Sequence, residues 1–135
     1  GGLINIDMNT IKCQDIKDER WSNNLDNHLK DDDFFGVQKF PLSTLIVDRI
    51  ELFDFGSELY NSKIIASLTI KGITNNIIIP AKIVHNKNFS SAEGDINIDR
   101  TLWNIKYNSS KFFPDIGDRM ILDKINIQFY IQTIQ

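Results

Sequence analysis

The chain has 135 residues, 41% of them hydrophobic and 24% charged, with a formal net charge of −3. That length suits one globular domain spanning 1–135, too short for two, and allows a sizeable core without disulfides or a structural metal. The lone Cys13 excludes an internal disulfide, the scattered cations lack the clustered footprint of a nucleic-acid binder, and no apolar run approaches the roughly 18 residues of a membrane span.

Isoleucine (23 residues) and asparagine (14 residues) dominate, a weighting that favours strands and turns over helices. Gly1 leads straight into alternating Leu3, Ile4, Ile6 and Met8 with no positive n-region, so the chain is expected to lack a signal peptide and to start mid-structure, as a trimmed piece of a longer precursor. Period-2 alternation predicts a first strand over 3–12, with Ile4, Ile6 and Met8 on one face, and an exposed connection over 13–21. Apolar spacings of three and four residues predict one short α-helix over 22–35, capped by Ser22 or Asn23 and stopped by a left-handed Gly36, lying over the end of a sheet.

Further strands are predicted over 42–52, 59–71, 76–85, 89–99 and 120–133, with turns around Gly56, at 72–75 and at 86–88. Between the last two strands lies an irregular aromatic stretch over 100–114. Six long strands with mostly short connections make an all-β, antiparallel sheet, and strands this long curl towards a barrel. An inner face of isoleucine, leucine and phenylalanine is either filled solid or encloses an apolar ligand.

The catalytic inventory is thin. His28 and His85 have no metal-ligand spacing around them and read as ordinary structural or surface histidines. Cys13 has no local histidine and reads as an inert thiol, and Asp31, Asp32 and Asp33 lack the ligand spacing and glycine of a calcium loop. Phosphate-binding glycine loops and a nucleophile elbow are absent. Trp103, Tyr107, Phe112 and Phe113 sit near Arg100, Lys106 and Lys111 as a nucleic-acid stacking platform would require, but the negative net charge argues for a core plug at a barrel mouth.

Three segments, in order, resemble one family. HLKDDDFF (28–35) with VQKFP (37–41), SLTIKGIT (67–74), and IDRTLWNIKY (98–107) with GDRMILDKINI (117–127) are similar to the YceI-like family of bacterial lipocalin-like proteins, over about residues 2–134. The resemblance implies an antiparallel lipocalin-like β-barrel, eight-stranded in full-length members, whose apolar channel holds a long isoprenoid such as a polyprenyl chain or quinone tail. It further implies a periplasmic or secreted location and a possible homodimer. Two or three strands that full-length members carry before the segment matching 2–11 have no counterpart here, so an incomplete barrel is expected: the N-terminal strands were removed or left out, or a second copy covers the gap.

The expected function is therefore non-catalytic: carriage or storage of an apolar ligand with no other cofactor. The in-phase residues supply the channel lining, namely Leu45 and Val47, then Ile64, Ala66, Leu68 and Ile70, then Ile77, Ile79, Ala81 and Ile83, then Ile96 and Ile98, and finally Ile125, Ile127, Phe129 and Ile131. Small Ala66, Ala81 and Gly94 leave room among them. Phe34, Phe35, Trp103 and Tyr107 are expected to rim a mouth, with Arg100 anchoring the head group or pairing with Asp99, Asp118 or Asp123. The alternatives are a solid-cored β-domain acting through protein contacts, and a lipid-modifying enzyme whose acid or base would be Asp48 or Asp123.

Overall fold

The structure, a computed structural model, describes residues 1–134. Strands β1 (Gly2–Asp7), β2 (Leu42–Leu52), β3 (Ser62–Ile70), β4 (Ile73–His85), β5 (Phe89–Asp99) and β6 (Lys124–Ile134) pair in chain order, each antiparallel to the next. They form a curled half-barrel with β1 and β6 as its edges, and no ladder joins those two among the described residues. The barrel expected from strand length is thus an open one.

Period-2 side chains make the curl one-sided. In β3, Ser62, Ile64, Ala66, Leu68 and Ile70 are buried while the residues between them are only half-buried. The register carries that inner face across the sheet in rows: Leu45, Leu68 and Asn75; Val47, Ala66 and Ile77; Ile50, Ile64 and Ile79; then Leu52, Ser62, Ala81, Gly94 and Phe129.

Strict alternation from Leu45 and Val47 would send the charged Arg49 and Glu51 inward. A β-bulge between Val47 and Arg49 absorbs Asp48 as an extra residue, so Ile50 and Leu52 join the inner face instead. A second irregularity separates β4 from β5, whose ladder runs only from Ala81–Gly94 to His85–Ser90. Pro80 has no N–H to continue it, and a Cβ on Gly94 would lie 2.5 Å from the Pro80 carbonyl oxygen, so glycine alone allows this approach. Beyond that point β5 parts from β4 and stays paired with β6 along its whole length.

Several boundaries differ from the predicted ones. The helix α1 spans Glu19–Lys30 rather than 22–35, because Asp18, not Ser22 or Asn23, accepts the N–H of Arg20 and caps it, with Glu19 in the first turn. Asp31, Asp32 and Asp33 fall beyond the helix, where the Asp31 carbonyl accepts the N–H groups of Phe34 and Gly36. Gly36 is left-handed (φ 56°) as expected but closes this following turn. β1 ends at Asp7, whose carboxylate caps a 3-10 turn at Met8–Thr10. β3 begins at Ser62 because Asn61 substitutes its side chain for the ladder, donating to the Ile83 carbonyl and accepting from the Ile83 N–H. The β3–β4 turn is the pair Lys71–Gly72 (φ 53° and 75°), tighter than the predicted 72–75 and matching the strand twist. β6 starts at Lys124, since residues 120–123 are held by Arg100 rather than by the sheet.

Candidate ligand-binding face

The inner face is graded from packed to open. Leu45, Ile64, Ala66, Leu68, Ile70, Ile79, Ala81, Ile96 and Ile98 are buried in one cluster, against which Val47, Ile77, Ile83, Ile125, Ile127 and Phe129 pack half-buried. All of these share the inner side with Ile131, as their phase in the sequence implies. Towards the ends of β2 and β6 the cover thins: Ile50 is 52%, Leu52 88% and Ile131 37% exposed. The floor between them is small, made of Ser62, Ala81, Ala92 and Gly94. Sequence reasoning missed Ile50 and Leu52, because nothing local signals the bulge, and Asn75, whose amide donates to the Leu102 carbonyl at 3.0 Å.

The opposite end is plugged. The residues expected to rim a mouth gather there, and two of them are buried within the plug instead. Trp103 is 1% exposed and its indole N–H donates to the Leu68 carbonyl at 3.0 Å, so it is a core residue. Arg100, 0% exposed, donates from Nε to the Leu122 carbonyl, from Nη1 to that of Ile105 and from Nη2 to that of Ile121, at 2.9–3.0 Å, and lies 3.7 Å from Asp123. A guanidinium fully buried and turned to three backbone carbonyls presents no exposed N–H to a head group. Burial pulls its pKa down and the charges of Asp123 and Asp99 oppose this. Phe34 is buried with its ring below the guanidinium, Phe35 stacks edge-on against Phe34, and Tyr107 is half-buried with its ring 4.6 Å from that of His28.

Asp99 caps the 3-10 turn Arg100–Trp103 through the N–H and hydroxyl of Thr101 and accepts from Lys111 at 2.5 Å. Burial works against the charged Asp99, yet these bonds outweigh it and hold its pKa below the usual value. Asp48 is the exposed extra residue of the bulge, and Asp123 lies beside Arg100 and Lys111, so neither acid projects into the apolar face. Among the described residues no three His, Cys, Asp or Glu side chains gather as a metal site. Cys13 is half-buried, its N–H given to Asp26 and its carbonyl accepting from Ser22, which ties the preceding segment to α1.

Outside the sheet, residues 53–61 fold back over the convex side. Phe53, Phe55 and Tyr60 stack edge to face, Lys63 lies over the Phe53 ring, and the Tyr60 hydroxyl donates to Asp95. That bond raises the Tyr60 pKa and, with help from Asn126, lowers that of Asp95.

A family model described as the YceI-like domain matches residues 2–133. Solved structures of similar fold include the YCEI protein of Campylobacter jejuni, at 21% identity and TM-score 0.71, covering 98% of this chain and 71% of that one. Another is Burkholderia cenocepacia BcnA, at 18% identity and TM-score 0.71, covering 97% and 72%. Among curated proteins, UPF0312 proteins of Staphylococcus aureus strains USA300 and MRSA252 are 42% and 44% identical over 50 residues, which is 37% of this chain and 24% of theirs. The matched stretch is thus about a quarter of those relatives' length.

Proposed function

This chain belongs to the YceI-like domain family, and from that membership and the shape of its inner face we propose that it is a non-catalytic binding protein for a long apolar molecule of isoprenoid class. The observation that carries this reading is the gradient of exposure. Ile50, Leu52 and Ile131 stand exposed around a floor of small residues, on a face that is closed and fully packed at the Trp103 end. Exposed apolar walls around a shallow floor offer surface that a hydrocarbon chain desolvates, at roughly 0.8 kcal/mol per methylene buried. Among the described strand residues no charged side chain shares that face, which suits a tail rather than a polar substrate.

A second reading, a solid-cored module acting through protein contacts, is favoured by the burial of nine of the lining residues in one cluster. One experiment separates the two. The purified chain is extracted with organic solvent for mass spectrometry and then offered polyprenyl and quinone probes. A co-purifying or captured isoprenoid is the expected result; an empty extract together with no uptake overturns the carrier reading in favour of the solid core.

A further inference from the structure

At the open end the pattern of the sheet inverts. From Ile98 to Ala92 every inward residue of β5 is apolar or glycine, and the next inward row is polar on all three strands: His85 on β4, Ser90 on β5 and Thr133 on β6. Solvent exposure of a hairpin tip does not by itself produce this, because the outward side of the same tip is mixed, carrying Val84, Phe89 and Ile134 as well as Ser91 and Gln132. The concave row is wholly polar while the convex side keeps three apolar residues, against the binary pattern of the rest of the sheet.

The row is also internally ordered. The Ser90 hydroxyl and His85 Nδ1 lie 2.6 Å apart, which fixes the imidazole and leaves Nε2 as its second hydrogen-bonding atom. Thr133 Oγ1 donates to the Ser90 carbonyl at 3.5 Å, bringing the third polar side chain to the same strand. When Ser90 donates to Nδ1, Nε2 carries the proton and is a donor on an exposed residue at the end of the inward row. Ten residues of β4 separate Asn75, beside the Trp103 plug, from His85, a reach of about 33 Å along the strand, long enough for an extended tail.

We propose that His85, oriented by Ser90 in a polar row completed by Thr133, forms the head-group site, its Nε2–H donating to the oxygen of a polar group at the end of an apolar chain. This rests on the carrier reading above and adds the end at which the ligand's polar group sits. The recognised chemistry is an acceptor oxygen, supplied either by the carbonyl of a quinone or by the phosphate of a prenyl phosphate.

The test titrates the whole chain with menaquinone-4, geranylgeranyl phosphate and squalene, the last being a tail with no oxygen. His85→Ala/Ser90→Ala is compared with Ser91→Ala/Gln132→Ala, a pair on the outward side of the same strands. The first variant is expected to lose at least about tenfold in affinity for one or both oxygen-bearing probes, while squalene changes by less than about twofold and the outward pair leaves all three unchanged. The arm that loses affinity identifies quinone or phosphate. Equal losses for all three probes, or none, overturn the head-group site while leaving the carrier reading in place. Failure of the native chain to take any of the three overturns the carrier reading, and the head-group site with it.

Discussion

The guanidinium of Arg100 holds the backbone at Ile105, Ile121 and Leu122, three points of the irregular segment between β5 and β6. Removing it while keeping its length, as in Arg100→Met, strands those buried carbonyls and leaves Asp123 with only the more distant Lys111, so a loss of about 3 kcal/mol or more is expected, read from the denaturant midpoint at unchanged slope. Tyr60 and Asp95 give a different signature. The Asp95 pKa is lowered in the folded state, chiefly by the Tyr60 hydroxyl, so its contribution is present above the unfolded carboxylate pKa and is lost as pH falls through the lower, folded one. The Tyr60 pKa is raised, so its contribution holds below the unfolded value near 10 and is lost as pH rises through the folded one. Tyr60→Phe should therefore lower the melting temperature in the neutral range and converge on the native protein at the acid extreme; equal differences at all pH values would show that the bond to the ionised Asp95 adds nothing. At this scale the sequence was a partial guide. Ion pairing of Arg100 with Asp123 was among the readings its neighbours allowed, but the three carbonyls it bonds lie up to 22 residues away and carry no side-chain signal.

Between elements, the parting of β4 from β5 sets the shape of the curl. Gly94→Ala places a methyl against the Pro80 carbonyl, a backbone atom that cannot swing aside, and against the Phe129 ring at 3.0 Å. Overpacking of that kind should destabilise by about 1–3 kcal/mol, seen as a lower unfolding midpoint, whereas Gly2→Ala, with nothing within 4 Å, should be silent. Most strands were legible from alternation: β2 and β5 begin and end where it predicts, although the bulge shifts the inner phase of β2, and β3 is shortened where Asn61 takes over the ladder at one end and Lys71 enters the turn at the other. The helix start was misread because Asp18, Ser22 and Asn23 are all acceptable caps, and only tertiary packing selects among them. The bulge at Asp48 and the parting at Pro80 were invisible for the same reason: each is a relation between two strands, and periodicity within one strand does not record it.

For the molecule as a whole, the contrast between a plugged and an open end makes ligand entry directional. Ala92 stands half-buried beside Ile83 and Ile131 in the open half, so Ala92→Phe should fill that space and reduce uptake of a squalene probe by about tenfold with little change in stability; undiminished uptake would place the ligand elsewhere. The apolar face itself was legible from phase, whereas which end is closed was not, because Trp103 and the aromatic residues before Gly36 reach the sheet only through the folded chain. The strand order has a kinetic consequence. Every ladder joins neighbours in sequence, and the β3–β4 and β4–β5 pairs are closed by residues 71–72 and 86–88 alone. Loop closure there carries little entropy, while β1 and β6 must return across residues 8–41 and 100–123. The β3–β4–β5 meander should form first and the edges dock last. Gly72→Ala, at φ 75° and 3.0 Å from the Phe40 ring, should then slow refolding, and Arg100→Met should mainly accelerate unfolding, a division that the two arms of a chevron plot would resolve.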